Sequence, residues 1–141
     1  MTRLALTVEA VVVFGLFLVL HRIVPFKTVA RIMGWKVGPA PRAGPRNDHQ
    51  VATVSGAVFA VSRTTKLDDC CLAESIAIKW MLARRRIAAD ICFGIRIKGS
   101  ALHSPRSDVL DHIGPHAWIQ IGDAPLRATD PEQHVLVGCY H

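Results

Sequence analysis

The chain has 141 residues, half of them hydrophobic and 20% charged, which fits one globular domain around one core and excludes disordered and collagen-like chains. Lysine and arginine outnumber aspartate and glutamate by 17 to 11, a formal +6 that suits an acidic partner, a membrane surface or nucleic acid. Aromatic residues make up only 6% and no basic run is interleaved with them, so no nucleic-acid partner is expected.

Residues 4–20 are almost wholly apolar, interrupted by Thr7, Glu9 and Gly15, and predict a helix just short of the ~20 residues that span a bilayer. Glu9 favours a helix packed on its own domain over a membrane anchor, with membrane contact as the alternative. Beyond Pro25, the cations Lys27 and Arg31 alternate with Phe26, Val29 and Ile32, the pattern of a second amphipathic segment. Residues 1–37 are thus read as an N-terminal helical segment and the proline- and glycine-rich residues 38–50 as a linker. The compact domain is expected over residues 51–141.

Within that domain, Val51, Val54 and Val58 fall on one stripe of a helix over residues 51–61. A further helix opens at Asp68-Asp69-Cys70-Cys71, where either aspartate can cap free backbone N–H groups, and presents Leu72, Ile76, Trp80 and Ala83 on one face. Its end carries Arg84, Arg85 and Arg86, read as a solvated run that complements the helix dipole. From Ile91 the period changes to two: Ile91, Phe93, Ile95 and Ile97 predict the buried face of a strand in which Cys92 is filler. A long loop over residues 99–114 precedes a strand over residues 116–121, a turn over residues 122–125 and a third strand over residues 126–130. The order, helices first and then an antiparallel sheet, is that of an α+β fold.

The four cysteines, Cys70, Cys71, Cys92 and Cys139, include no C-x-x-C spacing, so neither a disulfide framework nor a metal site is expected, and no cofactor is implied. Without a small-x-small cleavage site after the apolar N-terminus, the reading is a cytoplasmic protein, with membrane association through the first helix as an option, whose thiols stay available for chemistry.

A thiol in the first turn of a helix is favoured as thiolate by the unpaired N–H groups and the positive end of the dipole, and both Cys70 and Cys71 are candidates. Asp68 and Asp69 oppose that effect, so an imidazolium nearby is needed. His116 shares a strand face with Trp118 and Gln120, away from the more apolar face of Ala117, Ile119 and Ile121. A loop of two to four residues sets position 129, 130 or 131 opposite His116, and a three-residue loop selects Asp130 as the carboxylate that orients the imidazole. His21, His49, His103, His112, His134 and His141 lack such a neighbour and are read as surface residues.

Cys71-Leu72-Ala73-Glu74-Ser75, Met81-Leu82-Ala83-Arg84-Arg85-Arg86, Phe93-Gly94-Ile95 and His116-Ala117-Trp118-Ile119 together resemble the lasso-peptide B proteins, transglutaminase-like cysteine proteases of peptide maturation. The resemblance covers about residues 51–130, and Val24-Pro25-Phe26-Lys27 is similar to the family's opening segment. It implies a papain/transglutaminase-like α+β core with a nucleophile at a helix N-terminus and an N-terminal helical extension. It also implies a catalytic triad of Cys71 as nucleophile, His116 as base and Asp130 as orienting carboxylate. The implied activity is removal of the leader from a precursor peptide, before an ATP-dependent lasso cyclase closes the ring. The chain is too short to carry the family's leader-recognition module, which implies the split form served by a small leader-recognition protein. It departs from the family at Arg86-Ile87, where a glycine is common, and at Gln120, where a glutamate is common. The alternatives are a thiol-dependent acyltransferase or amidase using the same three residues, and a non-enzymatic membrane-associated adaptor.

Overall fold

The computed structural model describes residues 3–38, 47–65, 70–97, 113–122, 124–126 and 134–141. Four helices, α1 (Arg3–Ile23), α2 (Phe26–Ile32), α3 (Asp48–Thr65) and α4 (Cys71–Ala83), accompany five strands. The strands are β1 (Val37–Gly38), β2 (Asp90–Ile97), β3 (Ile113–Ile121), β4 (Ala124–Pro125) and β5 (His134–Tyr140). They form one antiparallel sheet in the order β1-β5-β2-β3-β4, with helices α1, α3 and α4 packed on one another and α4 seated on β2 and β3.

α4 is the hub. Ala73, Ile76, Ala77, Met81 and Leu82 are wholly buried, and Ser75, Ile78 and Lys79 nearly so. A helix surrounded by α1, α3 and the sheet needs apolar residues on most of its circumference rather than on one stripe. The expected face is therefore corrected: Ile76 is buried as read, but Leu72 and Trp80 are half-buried and Ala83 is exposed. α3 follows its sequence pattern, with Val51, Val54 and Val58 all buried in the same core. α1 buries Leu6, Ala10, Val13, Phe14 and Phe17 in that core too.

α4 ends in a Schellman motif. The Ile87 N–H donates to the Leu82 carbonyl and the Arg86 N–H to the Ala83 carbonyl, while Arg86 adopts the left-handed conformation at φ 59°. Leu82 and Ile87, the apolar pair that accompanies such an ending, are both in the core. The arginine run is not simply solvated: Arg85 donates to both carboxylate oxygens of Glu9 and to the Met81 carbonyl, and Arg84 pairs with Glu9 at 3.2 Å. Arg84 also lies over the Trp80 ring. Glu9, an acid in an otherwise apolar helix, is thereby explained as the bolt between α1 and the end of α4.

β2 lies between β5 and β3, which corrects the one-faced reading of its sequence. Ile91 and Cys92 are both fully buried although they point to opposite faces, and Ile95 is exposed. β5 is a strand that the sequence reading left unassigned; a bulge shifts its register between Phe93 and Gly94, so that Gly138 and Leu136 pair there and Val137 is exposed. β5 brings Cys139 directly opposite Cys92, and the two sulfurs are bonded, with Cα atoms 4.1 Å apart. Cys92 is thus half of a disulfide rather than filler, and Cys70 and Cys71 are the two free thiols.

The strap formed by α2 and β1 reaches the far edge of the sheet. Phe26 packs edge-on against Phe93 and Tyr140, and Lys36 and His141 exchange backbone hydrogen bonds beyond the β1–β5 pairs. A Cβ at Gly38 would come within 2.6 Å of the ring of His141, an exposed side chain that would have to turn aside. Beneath the strap, buried Lys79 donates to the Ala89 carbonyl and lies 5.3 Å from the Trp35 ring centre. Burial pushes the Lys79 ammonium down, opposed by the charge of Asp90. Burial pushes the Asp90 carboxyl up, opposed by Lys79 and His141.

Candidate active site

The two free thiols sit at the start of α4. Cys70 is the N-cap residue and makes no capping side-chain hydrogen bond; Cys71 is the first helical residue. Its N–H, with those of Leu72 and Ala73, lacks an acceptor inside the helix, so this terminus offers donors and positive potential to an anion. Asp68 and Asp69, expected as caps, lie outside the described residues.

Adjacent in sequence, the thiols differ in surroundings. The Cys70 Sγ donates to Glu74 Oε1 at 3.5 Å, one helical turn on. Burial, the charge of Glu74 and this hydrogen bond push the Cys70 thiol up to about 11, holding it protonated at neutral pH. Cys71 is half-buried. Glu74 is a residue that the search for a nucleophile and its base passed over, although its i+4 spacing from Cys70 was visible.

The connection over residues 84–89 turns the chain back into β2. On β2, Gly94 pairs with His116 of β3. Ala117, Ile119 and Ile121 are buried, as expected, with Ile119 and Ile121 in the core under the helices. His116, Trp118 and Gln120 alternate onto the other face and are half-buried. The His116 and Trp118 rings stack at 6.1 Å between centroids with 24° between their planes. Strand alternation starts the His116 side chain on the sheet face away from the helix core.

Gln120, where the resembling family has a glutamate, donates through Nε2 to the Gly122 carbonyl, and its Oε1 is 3.3 Å from Cys92 Sγ. It braces the β3–β4 turn. In that turn Gln120 pairs with Pro125 and Ile121 with Ala124, so two positions separate the strands, the short end of the expected two to four, with Gly122 at φ 59°. The three-residue loop from which Asp130 was placed opposite His116 is not formed, and Asp130 itself lies outside the described residues. Among the described residues no cluster of His, Cys, Asp and Glu could hold a metal ion.

No curated protein and no solved structure matches the chain significantly. Residues 16–136 match the transglutaminase-like superfamily, whose members generally include cysteine-dependent enzymes of the protease and acyltransferase type. An α+β arrangement of four helices on a small antiparallel sheet, with a free thiol at the start of the central helix, agrees with that match. The chain belongs to the transglutaminase-like superfamily.

Proposed function

We propose that the chain is a cysteine peptidase that removes the leader from a lasso-peptide precursor, with Cys71 as nucleophile, His116 as general base and acid, and Asp130 as the carboxylate that orients His116. The observation that carries this reading is the contrast between neighbouring thiols: Cys70 is held protonated by burial and by Glu74, which leaves Cys71, at the start of α4, as the thiol for attack.

In this mechanism His116 takes the Cys71 proton, and the thiolate attacks the carbonyl at the leader–core junction. The helix-start N–H groups supply donors for the oxyanion. His116 then gives its proton to the leaving amine of the core peptide, whose C–N bond breaks as a thioester forms on the leader. Water, deprotonated by His116, hydrolyses that thioester to release the leader carboxylate and regenerate the thiol. For this step the imidazole, which starts on the sheet face away from α4 and lies against Trp118, must turn toward Cys71 Sγ. The precursor is delivered by a small leader-recognition protein, and the freed amine goes to an ATP-dependent cyclase.

The test is mass spectrometry of precursor incubated with the chain and the leader-recognition protein. Cys71→Ala is expected to lower cleavage by about a thousandfold or more, and Cys70→Ala by much less. Equal activity of Cys71→Ala and the unaltered chain refutes the reading. A product bearing an added amine in place of water marks an acyltransferase instead.

A further inference from the structure

We propose that the outward face of α1 is a membrane-contact surface, on which the protein lies with this helix parallel to an anionic bilayer. One side of α1 is spent on the core. The other exposes Leu4, Val8, Val11, Val12, Leu16, Val19 and Ile23 along the whole 21-residue helix, with Val12 and Leu16 63% and 59% exposed. These positions recur every three or four residues and so form one continuous stripe. Thr7 is the one exposed uncharged polar side chain among residues 4–20, and its hydroxyl donates to the Arg3 carbonyl.

Charge selects the occupant. Residues 3–38 contain Arg3, Arg22, Lys27, Arg31 and Lys36, all exposed, and a single acid, Glu9, turned inward onto Arg84 and Arg85. An aliphatic stripe with Arg3 at one end and Arg22, Lys27 and Arg31 at the other matches acyl chains between anionic headgroups. A protein-binding stripe is expected to centre on aromatic anchors, whereas the large exposed side chains here are Val, Leu and Ile. Helix α1 is long and apolar enough to cross a bilayer, with a mean hydropathy of 2.3. Crossing would, however, strip Leu6, Ala10, Val13, Phe14 and Phe17 from the core and break the Glu9 pairs, so the folded domain presents the helix in plane.

The experiment is co-sedimentation of the full chain with phosphatidylcholine vesicles, with and without an equal part of phosphatidylglycerol. The chain is expected to pellet with the anionic vesicles and to bind the neutral ones about tenfold more weakly. The double variant Val12→Gln/Leu16→Gln should lose about tenfold or more in binding to anionic vesicles. Arg22→Gln/Lys27→Gln should lose binding at low salt while keeping the thermal midpoint of the unaltered chain. Retention of the chain in the supernatant with anionic vesicles overturns the proposal, as does undiminished binding by Val12→Gln/Leu16→Gln. So does a lipid-free dimer, seen by analytical ultracentrifugation, that this double variant dissolves, because the stripe would then belong to a second copy.

Discussion

At its C-terminal end α4 satisfies its carbonyls with a Schellman turn, places Ile87 against the core and anchors Arg85 on Glu9 of α1. At its N-terminal end the same helix begins on Cys70 without a side-chain cap bond and presents two thiols and a row of N–H donors. A capping side chain at a helix start is worth about 1 kcal/mol, a contribution that Cys70 does not make. The difference is between a closed end and an end that presents free thiols, along one helix of thirteen residues. The polar groups differ too: Arg84 and Arg85 beyond the C-terminus are paired with Glu9, and the first turn carries the two free thiols, with Cys70 bonded to Glu74.

Three changes probe that contrast further. The largest effect concerns Cys70. With its pKa near 11, about one molecule in a thousand is thiolate at pH 8, so its alkylation by iodoacetamide should rise about tenfold per pH unit and level off only near pH 11. Glu74→Gln removes the charge and the acceptor that hold the proton, and should shift the profile to lower pH and raise the rate at pH 8 by about tenfold. Peptide mapping after labelling reads both thiols at once, and a Cys70 that alkylates as fast as an unhindered thiol would erase the distinction between them.

Next comes the bolt at the other end. Glu9→Gln should cost about 1–2 kcal/mol in urea unfolding, because Glu9 is only 14% exposed and receives both oxygens' worth of hydrogen bonds from Arg85. A double-mutant cycle with Arg85→Ala isolates the pair from the Arg85–Met81 contact. The smallest change runs in the favourable direction. Arg86 holds a left-handed backbone that glycine adopts without cost, so Arg86→Gly should stabilise the fold by about 1 kcal/mol with an unchanged denaturant slope. A loss of stability would mean that the Arg86 side chain does more than cap.

The helix layer was legible because its signals are local: Val51, Val54 and Val58 repeat at helical spacing, and Pro25 and Gly34 bracket α2. The roles of polar residues inside that layer were not. Glu9 and Arg85 are 76 positions apart, and nothing in either neighbourhood announces the other. The sheet was half legible. β3 showed its faces through strict alternation, whereas β2, covered on two faces and flanked on both edges, does not alternate in burial. The Cys92–Cys139 bond depends on which strands become neighbours, which is a property of topology rather than of spacing. At the site, helix-start position singled out Cys70 and Cys71 and strand alternation put His116 on the less apolar face of β3, and the structure places the thiols and that face as read. The placement of Asp130 rested on a loop length that one residue changes, and the chain uses the shorter loop.

β5 follows β1 and β2 in the chain yet lies between them, so Val37 waits about a hundred residues for its partner Tyr140. During synthesis the helices emerge first and can pack while one edge of β2 is still bare, an edge able to recruit a foreign strand until residues 134–140 arrive. Losing that last segment would remove a central rung of the sheet rather than trim a tail, and would leave β1 without the strand it pairs with.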